Sequence, residues 1–199
     1  MTAAERPQAV VIAGPNGAGK TTAAPRLLHA AVGIDAFVNA DVIAQGLAGF
    51  SPATAALEAG RIMLNRLDEL AQAGADFAFE STLAGRSVRG RLLDLIARGY
   101  AVHLFYLWLP SPEMAVERVR HRVEMGGHHV PEEVIRRRFW RSLVNFDRIY
   151  RPIVTSWQLY DASRSPERPL VAQGTASGRP TIIDEDTWDD VRRQAEEHS

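Results

Sequence analysis

The sequence predicts an α/β fold in which a mainly parallel sheet lies between layers of helices. Two observations lead to this prediction. Short apolar runs alternate along the chain with longer segments of helical periodicity, and this alternation is typical of parallel sheets. The first apolar run, residues 9–13, is followed at once by a glycine-rich loop and then by a helical pattern, which is the order found where phosphate binds at a helix N-terminus.

The glycine-rich loop has the full pattern of a phosphate-binding P-loop. Residues 14–21 read Gly-Pro-Asn-Gly-Ala-Gly-Lys-Thr and match G-x-x-x-x-G-K-[ST]. Of 23 Lys and Arg residues, Lys20 is the one lysine, so this chain uses arginine wherever a generic cation will serve. The loop needs a compact ammonium group, because a guanidinium is larger and forked. The motif therefore predicts the three-layer fold of P-loop NTPases.

The motif also assigns roles within a nucleotide site. Backbone N–H groups of the loop would surround a β-phosphate, Lys20 would bridge the outer phosphates, and Thr21 would ligate Mg²⁺ through its hydroxyl. The residues predicted to bind ATP in this loop are Gly14, Pro15, Asn16, Gly17, Ala18, Gly19, Lys20, Thr21 and Thr22. The alternative interpretation is a glycine turn ahead of an ordinary helix.

Each predicted strand is a short apolar run bounded by polar or turn residues. The parallel strands are predicted at residues 9–13, 36–39, 76–79, 100–109 and 157–161. The fourth is apolar almost throughout and should be buried on both faces. Between Pro169 and Ile183, turn residues separate two short apolar runs, which predicts a small C-terminal edge hairpin.

Each predicted helix has apolar residues at helical spacing and recognisable ends. The helices are predicted at residues 21–31, 52–72, 87–98, 112–124, from 131 onward, and 184–197. Gly99 ends the third helix, Pro131 has the first-turn position of the fifth, and acidic residues crowd the start of the last. The apolar positions expected in the long second helix are Leu57, Ile62, Leu64, Leu67 and Leu70.

Composition limits the function classes. The chain has no cysteine, which excludes disulfides, thiolate metal sites and cysteine catalysis. Its net charge of −1 gives no global attraction to nucleic acid or to a membrane surface. At 199 residues, one domain spanning residues 1–199 is expected. The start of the chain resembles neither a signal peptide nor a membrane span, so a cytoplasmic location is expected.

Two acidic residues follow predicted strands. Ligands bind outside the carboxyl ends of strands in an open parallel sheet, and Asp41 comes just after the second strand. It could accept a proton from a substrate hydroxyl, or it could cap the helix through residues 42–44. Glu80 ends the third strand and could hold a magnesium-bound water or a substrate hydroxyl. Hydroxyls, including that of Thr82, follow Glu80, and Arg86 is a further candidate substrate contact. Loop capping is the alternative for Glu80 and Thr82.

Arginines are concentrated in residues 118–151, which hold nine Arg against four acidic residues. Arg118 and Arg122 share one helix face, a Gly126-Gly127 loop follows, and residues 136–138 are three consecutive arginines. Two Arg-bearing helices joined by a glycine loop predict a lid around residues 113–140 that closes over ATP. Its arginines would neutralise charge on the transferring phosphoryl group.

Among the three consecutive arginines, the pattern favours Arg138. It shares a polar stripe with Ser142 and Asn145, next to an apolar face, so the stripe should point away from the core. The alternative is a solvated helix face with ion pairs to nearby glutamates. Arg164 and Arg168, in the loop before the hairpin, are expected to lie outside the site.

Together these residues resemble the zeta-toxin family of P-loop kinases, in the short branch labelled predicted ABC-type ATPase. The resemblance runs from Val10 to about Asp161. The matching stretches are residues 14–22, 39–41, 79–83, 126–131 with 136–138, and 160–163. The chain is shorter than the founding toxins between the second and third strands, and the second lid arginine of the family has no match in register.

The resemblance implies an ATP- and Mg²⁺-dependent kinase acting on a small-molecule hydroxyl, with an antitoxin as protein partner. Family members phosphorylate the 3′-hydroxyl of UDP-N-acetylglucosamine. The family's general base corresponds to Asp41, its substrate-binding Glu-x-Thr to Glu80 and Thr82, and its first lid arginine to Arg118 or Arg122. Two alternatives remain: an ATPase without a small-molecule acceptor, and an RNA-binding module built on the Arg-rich helix.

Overall fold

A computed structural model describes residues 6–31, 34–47, 52–127 and 129–199. In this part of the chain, seven strands form one sheet in the order β2-β3-β1-β4-β5-β6-β7. The strands are β1 (Gln8–Ala13), β2 (Phe37–Val38), β3 (Phe77–Ser81), β4 (Ala101–Trp108), β5 (Ser156–Asp161), β6 (Leu170–Gly174) and β7 (Thr181–Ile182). The first five pair in parallel, and β6 and β7 join as an antiparallel edge. The predicted α/β fold with its C-terminal edge hairpin is confirmed.

Seven α-helices surround the sheet in the described ranges. They are α1 (Lys20–Ala31), α2 (Ala40–Leu47), α3 (Pro52–Gln72), α4 (Ser87–Ala97), α5 (Pro112–Glu124), α6 (Glu132–Asn145) and α7 (Glu185–Glu197). A π-helical turn, Phe146–Tyr150, continues α6. Side chains cap several helix starts; at α5, Ser111 accepts from the Met114 N–H, and at α7, Asp184 accepts from the Thr187 N–H. None of the described helices combines the length and apolarity needed to cross a bilayer.

Two apolar cores, one on each face of the sheet, produce the three layers. Alternation along β1 sends Val10 and Ile12 to the face covered by α1 and α5, and Val11 to the face covered by α3, α4 and α7. Helix α6 belongs to both cores. Phe139 packs in the core on the face covered by α1 and α5. Phe146, just beyond the end of α6, packs in the core on the face covered by α3, α4 and α7.

The burial of α3 differs from the expected pattern. Leu67 and Leu70 are buried, but Leu57, Ile62 and Leu64 are 66%, 39% and 47% exposed. Small residues, Ala55 and Ala59, occupy the buried face in the first half of the helix. We expected the largest apolar residues of α3 to be buried. Small residues on the buried face instead allow the helix to pack closely against its neighbours.

The expected outward stripe on α6 is also wrong for two of its three members. Ser142 and Asn145 are buried. The Ser142 hydroxyl hydrogen-bonds the Tyr106 hydroxyl at 2.9 Å, and the Asn145 amide donates to the Leu83 carbonyl at 2.7 Å. These partners satisfy the polar groups, so the side chains can enter the core without an unpaired donor.

Asn145→Ala is expected to destabilise the fold by about 1–3 kcal/mol, because the Leu83 carbonyl would lose its donor in a buried position. Urea unfolding of the full chain measures the change. Asn65→Ala, at an exposed position on α3, is the matched control and should leave the unfolding midpoint unchanged. Equal midpoints for both variants would contradict the assignment of a stabilising role to this bond.

Candidate active site

One cavity lies where β1, β2 and β3 end at the same edge of the sheet. The register of β1 and β3 pairs Ile12 with Glu80 and Ala13 with Ser81, so Glu80 emerges beside the P-loop. The cavity has a volume of about 420 Å³. Its lining residues are Asn16, Gly17, Gly19, Lys20, Thr21, Thr22, Asn39, Ala40, Asp41, Glu80, Ser81, Thr82, Arg118, Arg122, Val130 and Arg138.

The fold thus gathers most of the residues singled out in the sequence. The predicted catalytic and binding side chains that line the cavity are Asn16, Lys20, Thr21, Thr22, Asp41, Glu80, Thr82, Arg118, Arg122 and Arg138. Of the other predicted loop residues, Gly17 and Gly19 line it, whereas Gly14, Pro15 and Ala18 do not. Arg86 does not line it and instead borders a separate surface depression with Arg89 and Arg148. Of the three consecutive arginines, Arg138 alone lines the cavity, since Arg136 pairs with Glu113 and Glu132.

The shape of the P-loop depends on two glycines. Gly14 has φ +140°, and a Cβ there would lie 2.4 Å from the Leu107 carbonyl oxygen. Gly17 has φ +81°, and its Cβ would lie 2.6 Å from the Ala115 carbonyl oxygen. Any larger residue would strain the backbone and push the loop off β4 and α5. The glycines of the motif therefore fit the loop tightly onto the sheet edge.

Lys20 is held over the loop by backbone carbonyls. Its Nζ donates to the Gly14 and Pro15 carbonyl oxygens, each at 3.0 Å. Burial lowers the pKa of Lys20, while the nearby carboxylates of Glu80 and Asp41 raise it. Arg122 is close enough to lower the pKa further. The ammonium group therefore stands among both carboxylates and Arg122, where a phosphate chain would add negative charge.

Asn39 is a site residue that the motif analysis did not single out. Its Oδ1 accepts from the N–H groups of Asp41 (2.7 Å) and Val42 (3.4 Å), so Asn39 caps α2. Its Nδ2 donates to the Thr21 hydroxyl oxygen at 3.3 Å. The capping interpretation of Asp41 is wrong, because Asn39 does this work and leaves the Asp41 carboxylate exposed at the cavity. The sequence did contain a signal for this role, because Asn is a preferred N-cap residue and Asn39 directly precedes α2.

Glu80 is the most buried carboxylate of the site. Burial raises the pKa of Glu80, whereas the charge of Lys20 and hydrogen bonds from Thr21 and Asn39 lower it. Its Oε1 is buried and has no hydrogen-bond partner among the described residues. That orphaned oxygen and the Thr21 hydroxyl are hard oxygen donors of the kind that Mg²⁺ prefers. In the described ranges no three His, Cys, Asp or Glu side chains converge.

The arginines of the predicted lid are fixed in different ways. Arg118 donates to the carbonyl oxygens of Ala162 (2.8 Å) and Ser163 (3.0 Å), which joins α5 to the loop after β5. The side chain of Arg122 packs against Gly127 in the turn that follows α5. The contact is so close that a Cβ added to Gly127 would lie 2.6 Å from the Arg122 Cγ. Arg168 does not line the cavity, but it lies against the P-loop: a Cβ on Gly19 would be 3.1 Å from its Nη2. The expectation that its loss has little effect stays a prediction.

Comparison with known families is consistent with this geometry. Residues 10–142 match the model of a family described as AAA domain. The chain belongs to this AAA-domain family. Both the family and the P-loop fold support nucleotide binding by the AAA-domain chain.

Three solved structures show the same fold as the AAA-domain chain. A chain of the AvrRxo1-ORF1:-ORF2 complex with ATP matches with a TM-score of 0.73 at 21% identity, over 94% of this chain and 63% of that chain. The AAA-domain chain therefore spans less than two thirds of that relative's length. A chain of the PezAT toxin-antitoxin system of Streptococcus pneumoniae matches with a TM-score of 0.63 at 17% identity, over 99% and 89% of the two chains. A gluconokinase from Sinorhizobium meliloti 1021 gives 0.50 at 16%, over 96% and 95%.

Proposed function

We propose that the protein is an ATP-dependent kinase of zeta-toxin type that transfers the γ-phosphoryl group to a hydroxyl of a small molecule. The observation that carries the proposal is a single cavity in which the P-loop lysine, Lys20, meets the carboxylates of Asp41 and Glu80. Arg122 and Arg138 line the same cavity. This is the set of groups that phosphoryl transfer needs, a phosphate cradle, a proton acceptor and cations beside the transferring group.

The proposed reaction assigns one step to each group. The acceptor oxygen forms a bond to the γ-phosphorus while the bond from that phosphorus to the β-phosphate oxygen breaks and ADP leaves. Asp41 accepts the proton of the acceptor hydroxyl. Lys20, Arg122 and Arg138 stabilise the charge on the outer phosphates. When bound with ATP, Mg²⁺ would supply further charge neutralisation, held on the protein side by Thr21 and Glu80.

Glu80 and Thr82 are the proposed acceptor contacts, and the resemblance to zeta toxins makes UDP-N-acetylglucosamine the first candidate acceptor. Arg86 keeps a proposed substrate role only for a part of the acceptor outside the cavity, since it borders the depression with Arg89 and Arg148. The PezAT and AvrRxo1 relatives come from two-component complexes, which supports an antitoxin-like protein partner. We propose a cytoplasmic location, where ATP is available.

Incubation with γ-labelled ATP and a metabolite extract, with UDP-N-acetylglucosamine as a separate acceptor, tests the proposal. The expected result is label on a small molecule in the sample with wild-type protein and not in the sample with Lys20→Ala protein. Release of inorganic phosphate alone, with no labelled acceptor, would favour an ATPase without a small-molecule acceptor. Salt-sensitive RNA binding without transfer would favour the RNA-binding alternative.

The lid arginines provide a sharper test of the proposed mechanism. Arg122→Ala and Arg138→Ala are each expected to lower kcat by about a thousandfold, the usual effect of losing an arginine that stabilises the transition state. The matched control is Arg137→Ala, on an exposed neighbouring position of α6 that does not line the cavity. Its kcat should stay within about threefold of wild type. Equal kcat values for Arg138→Ala and Arg137→Ala would show that α6 presents only a solvated face.

A further inference from the structure

A second, apolar cavity lies between α3 and α4. It has a volume of about 660 Å³, within the size range of small-molecule sites. Its apolar side chains are Ala56, Leu57, Met63, Leu64, Leu67, Phe79 and Val88. Leu67 and Phe79 are almost fully buried and form its floor, whereas Leu57 and Leu64 are exposed on its wall. We call this cavity the α3–α4 groove.

The α3–α4 groove adjoins the phosphate cavity. Glu80 and Ser81, at the end of β3, line both. Asp41 and Lys20 line the phosphate cavity but not the groove. A molecule lying in the groove therefore comes nearest to the phosphate cavity at Glu80 and Ser81.

The charged residues of the groove other than Arg91 and Glu80 are exposed at its rim. Arg91 pairs with Asp68 across the groove, from α4 to α3. Asp68 is about half exposed, and Arg61 and Asp94 are exposed as well. Glu80 is the charged residue that the groove shares with the phosphate cavity. The polar end of a bound molecule thus belongs at Glu80, and its apolar part belongs over Leu67 and Phe79.

We propose that the α3–α4 groove binds the apolar body of the acceptor, an aromatic or other apolar ring, so that the reacting hydroxyl of the same molecule lies at the Glu80 end. This inference rests on the proposed kinase function and specifies its substrate class. A bare polyol or monosaccharide would leave the leucines, Met63 and Phe79 uncovered. A ring buried over them gains affinity in proportion to the apolar area removed from water.

Two glycines make the groove testable without disturbing the fold. Gly60 on α3 and Gly90 on α4 line the groove, and a Cβ added to either one meets nothing within 4 Å. Gly60→Leu and Gly90→Leu would therefore project a side chain into the groove, and both changes favour the helical backbone. Gly46 on α2 is equally open but lines neither cavity, so Gly46→Leu is the matched control.

The experiment measures equilibrium binding to the full chain saturated with a non-hydrolysable ATP analogue. The probes are two pairs that differ by a ring: phenyl β-D-glucoside against D-glucose, and uridine against D-ribose. The expected result is that at least one ring-bearing probe binds about tenfold or more tighter than its parent sugar. Gly60→Leu and Gly90→Leu should each remove that preference, while Gly46→Leu retains it and all three variants bind the ATP analogue as wild type does.

Equal affinity of both ring-bearing probes and their parents, no binding of any probe, or a preference that survives both groove variants would each overturn the inference. These outcomes are separate from the fate of the kinase proposal, because binding is read without turnover. Labelled products from the metabolite extract, combined with no ring preference, would support the kinase proposal and contradict ring binding in the groove. A ring preference that is lost in the groove variants, with no labelled product from any acceptor, would support ring binding in the groove and contradict the kinase proposal.

Discussion

Lys20→Ala is expected to abolish phosphoryl transfer, with turnover lowered by about a thousandfold or more, while the fold persists. The hydrogen bonds that the ammonium group makes to described residues go to the carbonyl oxygens of Gly14 and Pro15 in the loop, so its removal takes no support from either apolar core. It is the cation of the loop itself, and phosphates bound there would lose their nearest positive charge. Turnover with any acceptor found in the extract measures the loss of phosphoryl transfer. The thermal unfolding midpoint measures whether the fold persists.

Lys20→Arg is the more demanding variant of this prediction. It keeps the charge but replaces a compact ammonium with a larger planar group in a loop bounded by Leu107 and Ala115. Turnover should fall nearly as far as in Lys20→Ala. Retention of more than a few per cent of wild-type turnover by Lys20→Ala would contradict a catalytic role for the loop.

Asp41→Asn is expected to lower turnover by about two to four orders of magnitude and to leave ATP affinity near that of wild type. The amide keeps the size of the side chain but cannot accept the proton of the acceptor hydroxyl. The cap of α2 is provided by Asn39, so the substitution should not shift the unfolding midpoint. Single-turnover kinetics with saturating ATP measure the chemical step directly.

Asp35→Asn is the control for this prediction. Asp35 is exposed just before β2 and does not line the cavity, so the same change of charge occurs outside the site. Its turnover should match that of wild type. If Asp41→Asn and Asp35→Asn behave alike, Asp41 does not accept the proton, and Glu80 becomes the carboxylate to test.

Much of the architecture could be predicted because it depends on short-range patterns. The P-loop pattern and the alternation of strands and helices define the fold, and the parallel sheet then brings the ends of β1, β2 and β3 to one edge. That geometry explains why Asp41 and Glu80, far apart in sequence, line the cavity that contains Lys20. Their roles in catalysis remain predictions that the variants above test.

The missed features depend on the tertiary neighbours of single residues. Hydrophobicity could not show that α3 buries Ala55 and Ala59 and leaves Leu57 and Leu64 exposed, because residue type does not encode how closely a helix packs. The sequence pattern places Ser142 and Asn145 on a solvent-facing stripe, because it does not show their buried hydrogen-bond partners, the Tyr106 hydroxyl and the Leu83 carbonyl. Arg168 reaches the P-loop from a distant loop, and no local pattern reveals that approach.

The isolation of Lys20 among arginines gives this protein an unusual chemical selectivity. Reagents that acylate amines do not modify guanidinium groups, so Lys20 provides the one side-chain amine in the 199-residue sequence. That amine lies on the floor of the phosphate cavity, and burial lowers its pKa and so enlarges its reactive neutral fraction. An amine-specific reagent can therefore modify this chain at the N-terminal α-amine and at Lys20 in the phosphate loop. The extent of acylation thereby reports directly on whether the loop is occupied, without a reporter group or an engineered residue.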